Sequence, residues 1–265
     1  MTNKHETPRN QAIAEPNTIL RVQVGSGLHG TNIKDQDDRD EMGICIEPPE
    51  CVIGLEHFEQ WQDRRHADGS RIGDGERSGP GDLDLVVYSL RKWTRLAAQG
   101  NPTVLLMLWA PSHEQVVSTS YGVGLQNRAE MFLSRECGKR FQGYLKSQRE
   151  QLLGMRGKHT NRPELIDQFG FDTKFAYHAI RLGIQGCELL STGKVTLPMD
   201  EEDRNFLKAL RVGDYTKEEA LHSIEYYDAQ LRDLMVKTKG DWPDKPDMAR
   251  INTWLMATYR SWWSR

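Results

Sequence analysis

The chain has 265 residues, of which 28% are charged and 37% are hydrophobic, and its formal net charge is −3. This composition is typical of a globular protein, and the length allows one large domain or two small ones. No apolar run approaches the roughly 20 residues that a membrane-spanning helix needs. The net charge excludes a polycation that binds nucleic acid over its whole surface.

The N-terminal residues and the cysteines bear on the cellular compartment. Residues 1–16 are polar and have no apolar segment of the kind that a secretory signal contains, so we expect no such signal. The cysteines form no Cys-x-x-Cys pair, which argues against a zinc site. We therefore expect reduced thiols in a cytoplasmic protein that has no membrane partner.

The first candidate element is a short strand that ends in a Gly-Ser turn. Val22 and Val24 alternate with polar residues, as in a half-buried strand, and Gly25 and Ser26 end it. Glycine accepts backbone geometry that other residues avoid, and it lets a ligand approach closely. The amide groups of such a turn can point at an anion, most often a phosphate. Taken alone, the pair is equally compatible with an ordinary surface turn.

Two aspartates precede the next apolar strand. Asp38 and Asp40 are two residues apart, and on an extended segment such residues face the same way. Two carboxylates that point in the same direction repel each other unless a cation lies between them. Mg²⁺ suits this position, because it takes oxygen ligands and bridges carboxylates to phosphates. The alternative interpretation is a solvated acidic loop.

A third acidic position follows a long polar segment. Residues 55–65 are compatible with one or two helical turns. Residues 68–81, rich in Gly, Asp and Arg, indicate a surface loop that is either a spacer, the interpretation we favour, or a segment that folds over a bound nucleotide. The next stretch, D-L-D-L-V-V-Y, is a strand with Asp82 and Asp84 on one face and apolar residues on the other. Either aspartate can supply a third carboxylate. Helical spacing begins after Tyr88.

The middle of the chain combines an ambiguous apolar run with a basic helix. Residues 103–109 form either a buried strand or a buried helix, and residues 127–153 have helical spacing. The basic segment that begins in this helix is either a solvated face or a docking surface for the phosphates of RNA. Its members are Arg135, Lys139, Arg140, Lys146, Arg149, Arg156, Lys158, His159 and Arg162.

A strong amphipathic helix is predicted from Asp172 to Leu190, with Asp172 as its N-cap. Lys174, His178 and Arg181 follow one another at helical spacing and share one face. A lysine is seldom buried without a partner, so Lys174 favours an anion-binding role, whereas His178 is equally compatible with a hydrogen-bonded core position.

The order of the elements predicts the fold class. Further helices are predicted over residues 201–211, 216–239 and 247–263. Strands therefore concentrate before Trp109 and helices after it, which predicts an α+β fold with a small mixed sheet flanked by helices and a C-terminal helical domain. We expect the two domains to span residues 17–125 and 126–265.

These motifs, in this order, resemble the nucleotidyltransferases of the DNA polymerase β superfamily. Within it, the chain is similar to an RNA-repair-associated group encoded by phages and bacteria. Asp37 and Glu41 depart from the family pattern, which has a serine and a hydrophobic residue at these positions. The motifs that carry the resemblance are G-S-G-L-H-G (25–30), D-D-R-D (37–40), Y-S-L-R-K-W (88–93), N-P (101–102), D-T-K-F-A-Y-H-A-I-R-L (172–182), T-G (192–193) and L-P (197–198).

The resemblance implies a polymerase-β-type core and a set of site residues. Asp38, Asp40 and Asp84 would be the catalytic residues and would bind Mg²⁺ or Mn²⁺. Asp84 is preferred to Asp82 because its distance from Tyr88 fits the family pattern. The residues implied to bind the nucleotide are Gly25, Ser26, His29, Lys174, His178 and Arg181.

The resemblance also implies an activity. The expected reaction is metal-dependent transfer of a nucleoside monophosphate from an NTP, such as ATP, to a hydroxyl group, and an RNA end is the expected acceptor. One alternative is a binding module for nucleotide or RNA that has lost turnover, although the intact set of three carboxylates favours an enzyme. Another is a transferase that modifies tRNA, a protein or a small molecule.

Overall fold

The structure, a computed structural model, consists of two compact units. Unit 1 comprises Met1–Ala98, Val104–Phe132 and Asp247–Arg265, and unit 2 comprises Gln99–Thr103 and Leu133–Pro246. Each unit is assembled from separate segments, whereas the predicted domains are contiguous in sequence. The residues that the structure describes are 4–34, 36–73, 75–156 and 162–265.

Unit 1 is built on a mixed sheet. Its strands in the described residues are β1 (Thr18–Gln23), β2 (Arg39–Cys45), β3 (Gln60–Arg65), β4 (Leu83–Ser89) and β5 (Gln115–Ser118). The order across the sheet is β3-β4-β2-β1-β5. β2 and β4 are parallel, and the other neighbouring strands are antiparallel. The parallel pair lies in the middle of the sheet, where it positions the candidate site.

Three of these strands were predictable and two were not. β1, β2 and β4 confirm the strands expected around the acidic positions. The prediction of helical turns over residues 55–65 is wrong, because β3 occupies Gln60–Arg65 and pairs with β4. The sequence Q-W-Q-D-R-R has a single apolar residue, Trp61, so backbone pairing with a neighbour decides its conformation rather than an apolar pattern. β5 was not expected.

The helices in the described part of the chain surround the sheet in unit 1 and make up unit 2. The apolar run over residues 103–109 is helical, since α5 continues into a 3₁₀ turn at Leu106–Leu108. In chain order, the α-helices are α1 (Pro8–Ala14), α2 (Gly25–His29), α3 (Pro49–Val52), α4 (Leu90–Ala98), α5 (Pro102–Leu105), α6 (Ser120–Gln126), α7 (Arg135–Leu152), α8 (Pro163–Phe169), α9 (Thr173–Thr192), α10 (Glu201–Arg211), α11 (Lys217–Lys237) and α12 (Met248–Trp263).

The last helix, α12, packs within unit 1. The ring of Trp254 meets that of Phe132 edge-on with centroids 6.0 Å apart, and Phe132 meets Trp93 in the same way at 5.3 Å. Both Phe132 and Trp93 are fully buried. The helix predicted over residues 247–263 is confirmed, and these ring contacts dock it onto the core of unit 1.

Unit 2 is a bundle in which α9 packs against α7 and α11. Two glycines of α9 allow the close approach. A Cβ on Gly186 would lie 2.8 Å from the Cβ of Phe141 on α7, and one on Gly183 would lie 2.4 Å from the Cβ of Tyr227 on α11. Asp172 caps α9 as predicted, since its carboxylate accepts hydrogen bonds from the first amides of the helix.

The predicted α+β class is confirmed by this arrangement of a mixed sheet and helices. Among the described residues, no helix combines the length and the apolar character required to cross a membrane.

Candidate active site

Strand register brings the three predicted carboxylates together. Asp40 on β2 lies directly opposite Asp84 on the parallel strand β4, so their side chains share a face of the sheet. Asp38, two residues before Asp40, faces the same way. One carboxylate oxygen from each of the three aspartates lies within 4.8 Å of the other two, and all three residues are partly exposed. Such a set of oxygen donors fits a hard divalent cation.

The Gly-Ser turn packs directly against this cluster. The amide of Val24 donates to the carbonyl oxygen of Asp40 at 2.9 Å, which fixes the end of β1 beside the start of β2. Gly25 follows with a φ of +64°, and a Cβ at this position would lie 2.1 Å from Oδ2 of Asp40. Both the backbone geometry and the space therefore require glycine.

A cavity of about 400 Å³ opens beside the turn and the first aspartate. Its volume is within the range of sites that bind small molecules. The residues that line it, all in unit 1, are Gln23, Ser26, Gly27, Asn32, Ile33, Lys34, Asp37, Asp38, Arg39, Pro80 and Gly81. Ser26 and Asp38 thus line the same cavity. His29 is only 2% exposed, and its predicted contact with phosphate stays a prediction.

Asp82, the alternative candidate for the third carboxylate, forms hydrogen bonds that hold a loop in place. Its carboxylate accepts hydrogen bonds from the amides of Gly79 at 2.8 Å and Ala67 at 3.0 Å, and His66 lies at 3.2 Å. The Gly79 amide, followed by Ala67 and His66, holds the pKa of Asp82 below its ordinary value against the opposing effect of burial. Asp84, by contrast, places a carboxylate oxygen within 4.8 Å of those of Asp38 and Asp40, and this proximity favours it over Asp82 as a metal ligand.

The two departures from the family pattern have structural partners. Oδ2 of Asp37 accepts a hydrogen bond from the amide of Ile33 at 2.8 Å and so closes the loop before β2. Glu41 is 4% exposed and forms ion pairs with Arg21 and with Arg39, the latter at 2.6 Å. Because Glu41 is next to Asp40 on a strand, its side chain points to the opposite face, away from the cluster.

In unit 2, the three predicted residues of α9 form part of a basic cluster. Burial, and then the positive charges of Arg181, Arg162, Lys174 and Arg211, lower the pKa of His178 well below its ordinary value. Burial also lowers the pKa of Arg181, whose Nη1 donates to Gln185 Oε1 at 2.7 Å.

The membership of Arg211 in this cluster was not predicted. It is the last residue of α10, and its guanidinium lies 5.3 Å from the ring centroid of Tyr177 on α9. No spacing in the sequence connects α10 with α9, so only tertiary structure reveals this contact.

The predicted basic segment is largely paired with carboxylates inside unit 2. These pairs leave less positive charge for RNA than the sequence alone suggests. Lys158 and His159 lie outside the described residues. The observed pairs are Arg135–Asp244, Lys139–Glu136, Lys146–Asp228, Arg149–Glu225, Arg156–Glu150 and Arg162–Asp172.

A mixed sheet that presents three carboxylates beside a Gly-Ser turn is the arrangement of a polymerase-β-type nucleotidyltransferase. The sequence matches the family model RlaP, "RNA repair pathway DNA polymerase beta family", over residues 3–257. The chain therefore belongs to this family of DNA polymerase β-like nucleotidyltransferases, and the resemblance drawn from its motifs is confirmed.

A nucleotidyltransferase-like protein from Exiguobacterium sibiricum 255-15 is 13% identical, with a TM-score of 0.30, over 84% of this chain and 70% of its own. No curated protein matches this chain.

Proposed function

We propose that this protein is a metal-dependent nucleotidyltransferase that moves a nucleoside monophosphate from an NTP to a hydroxyl group at an RNA end. The hydroxyl oxygen forms a bond to the α-phosphorus, the bond from that phosphorus to the α–β bridging oxygen breaks, and pyrophosphate leaves. The observation that carries the proposal is the convergence of Asp38, Asp40 and Asp84 beside Gly25 and Ser26. The description of the family supports RNA as the acceptor.

Each group of the site has a defined task in this reaction. Asp38 and Asp40 would hold the cations, and Asp84 would bind a cation and orient or accept the proton of the attacking hydroxyl. Bound Mg²⁺ or Mn²⁺ would neutralise charge on the phosphoryl oxygens and lower the pKa of that hydroxyl. The amides around Gly25 and the hydroxyl of Ser26 bind the triphosphate tail in the adjoining cavity.

The cationic face of α9 has a second role in the proposal. Lys174, His178 and Arg181 contact phosphates of the nucleotide or of the acceptor. A neutral His178 can accept or donate a hydrogen bond, while Lys174 and Arg181 supply charge. This assignment rests on the family resemblance and on the basic cluster that these residues form in unit 2.

The test is transfer of label from NTPs to RNA by the full chain. An NTP labelled at the α-phosphate should label RNA with a free 3′-hydroxyl in the presence of Mg²⁺, whereas an NTP labelled at the γ-phosphate should not. RNAs with a blocked 3′ end and with different 5′ ends identify the acceptor hydroxyl, and mass spectrometry identifies the added nucleotide. Labelling from the γ-phosphate would instead indicate phosphoryl transfer.

Single Asp→Asn variants connect the activity to the site. Asp38→Asn, Asp40→Asn and Asp84→Asn should each reduce transfer by about 100-fold or more, because a cation held at the transferred phosphate contributes several kcal/mol. Asp68→Asn is the matched control, since Asp68 is an exposed loop residue that bonds Ser70. Equal rates in the control and in the site variants would contradict the proposal, and NTP binding without any transfer would support the non-catalytic alternative.

A further inference from the structure

The third carboxylate of the site has a basic partner on the neighbouring strand. Arg64 on β3 lies directly opposite Asp84 on the antiparallel strand β4. Its Nε donates to Oδ1 of Asp84 at 2.9 Å. Residues opposite each other on adjacent strands stay in contact without any further constraint, so the fold of the sheet itself maintains this pair.

The same guanidinium also binds a loop. Nη2 of Arg64 donates to the carbonyl oxygen of Glu76 at 2.7 Å and to Oγ of Ser78 at 3.0 Å. Ser78 Oγ in turn donates to Oδ2 of Asp84 at 2.9 Å. Both oxygens of Asp84 are therefore held, one by Arg64 and the other by a residue that Arg64 binds.

The anchored loop reaches the substrate cavity. Segment 75–81 contains Glu76, which Arg64 contacts, and ends at Pro80 and Gly81, which line the cavity. The amide of Gly81 donates to the carbonyl oxygen of Asp37 at 3.0 Å, so this end of the loop is joined to the segment that carries Asp38. Segment 75–81, which forms part of the cavity wall, is thus held by contacts near both of its ends.

We propose that Arg64 is a positioning residue that orients Asp84 for metal binding and holds segment 75–81 as a wall of the nucleotide cavity. The inference rests on the proposed function and assigns it a residue that no family motif identified. A carboxylate has about four lone-pair sites, so the two hydrogen bonds that hold Asp84 leave sites for a cation. Outer partners of this kind fix the orientation of metal ligands.

The chemistry of the side chain explains why an arginine is suited to this position. A planar guanidinium donates in several fixed directions at once and so reaches Asp84, Glu76 and Ser78 together. A lysine ammonium is a point charge on a flexible stem. The side chains of Arg64 and Asp84 are 26% and 33% exposed, so solvent screening limits what this ion pair contributes to folding stability. Loss of Arg64 should therefore affect the site rather than the fold.

The first test measures Mn²⁺ binding to the full chain by calorimetry, without nucleotide. Arg64→Ala should raise the Kd for Mn²⁺ by about 10- to 100-fold, as expected for loss of an outer partner. Arg64→Lys should give an intermediate Kd. The matched control is Arg65→Ala, because Arg65 is the next residue of β3 and pairs with Asp63 instead.

The second test measures the loop itself. A glutamate-specific protease cleaves after Glu76, whose carbonyl oxygen Arg64 binds, and none of these variants adds or removes a cleavage site. Cleavage at this bond should be about tenfold faster or more in Arg64→Ala, since proteolysis follows the population of the opened segment and hydrogen bonds to a charged group are lost. Arg65→Ala should be cleaved at the wild-type rate.

The outcomes separate this inference from the proposed function. If wild-type protein binds no Mn²⁺, the proposed function is overturned and the inference with it. If wild-type protein and Arg64→Ala bind Mn²⁺ equally, Arg64 does not orient Asp84 for metal binding, and if the variant binds more tightly, Arg64 is a competing counter-ion. Either result overturns the inference alone. Unchanged cleavage after Glu76 in Arg64→Ala would overturn its role in holding the loop.

Discussion

Gly25 connects the conformation of the Gly-Ser turn to the position of the carboxylate cluster. It combines a positive φ with a position where a Cβ would lie 2.1 Å from Oδ2 of Asp40. Gly69 also has a positive φ, +86°, but a Cβ there would meet nothing within 4 Å. A comparison of alanine substitutions at the two glycines therefore distinguishes the free-energy cost of a positive φ from that of a close contact with Asp40.

At this residue scale, Gly25→Ala should weaken the site more than it weakens the fold. Both Gly25→Ala and Gly69→Ala should lower the free energy of unfolding by about 1–2 kcal/mol, because alanine is strained at positive φ. Only Gly25→Ala should also displace Asp40, raise the Kd for Mn²⁺ and reduce nucleotidyl transfer. Urea unfolding and calorimetry of the two variants measure these effects. Equal Mn²⁺ affinity in both would show that the space beside Asp40 is not required.

At the scale of elements, the predictions succeeded where a pattern lies within one segment. Alternation identified β1 and β4, an apolar run identified β2, and helical spacing with an N-cap identified α9. Asp38 and Asp40 could be paired from sequence because residues two apart on an extended chain face the same way. Such patterns are local, so they needed no knowledge of the sheet.

Features that depend on strand order could not be read in the same way. Asp84 joins the cluster because β4 lies next to β2 in parallel register, with Asp40 opposite it. Spacing along the chain does not determine which strands become neighbours, and only the family resemblance favoured Asp84 over Asp82. Arg64 was missed because β3 carries a charged sequence whose conformation depends on pairing with β4.

The basic cluster on α9 predicts a pH dependence of stability. The pKa of His178 in the folded protein lies well below the ordinary value of 6.5, because of burial and then of the charges of Arg181, Arg162, Lys174 and Arg211. Below about pH 6.5 the unfolded chain therefore binds a proton that the folded chain does not. The free energy of unfolding therefore decreases as the pH falls below about 6.5. This one group accounts for a decrease of at most about 1.4 kcal/mol for each pH unit.

The neutral variant His178→Gln isolates this contribution. Its loss of stability between pH 7.5 and pH 5.5 should be smaller than that of the wild-type protein, as measured by urea unfolding at the two pH values. His222→Gln is the control, since His222 is an exposed histidine on α11 of the same unit. A wild-type pH dependence in His178→Gln would mean that this imidazole is protonated equally readily in the folded and unfolded states.

At the scale of the whole molecule, carboxylates of unit 2 lie beside many of the positive charges of the basic segment. Six of its cations pair with carboxylates of unit 2, and the chain as a whole carries a net charge of −3. A protein of this kind gains little from non-specific attraction to phosphates. In the proposed function, binding of the RNA acceptor should therefore depend on local contacts rather than on a broad basic surface.

The C-terminal helix connects the end of the chain to the middle of unit 1. The hydroxyl oxygen of Tyr259 accepts a hydrogen bond from the amide of Arg91, and Glu47 accepts one from the amide of Leu90, both at 3.1 Å. These amides open α4 and have no partner within the helix. Trp263 donates from Nε1 to the carbonyl oxygen of Glu47 at 3.1 Å. Residues from distant segments thus jointly cap the helix that follows β4.

Removing the hydroxyl of Tyr259 should therefore destabilise unit 1. Tyr259 is 5% exposed, and in Tyr259→Phe the amide of Arg91 loses its hydrogen-bond partner, at a cost of about 1–2 kcal/mol. Tyr226→Phe is the control, since Tyr226 is 55% exposed on α11 and should change stability by less than about 0.5 kcal/mol. Urea unfolding of both variants measures the difference. Hydrogen exchange at Leu90 and Arg91, the capped amides of α4, should also become faster in Tyr259→Phe. Wild-type exchange there would contradict the capping role.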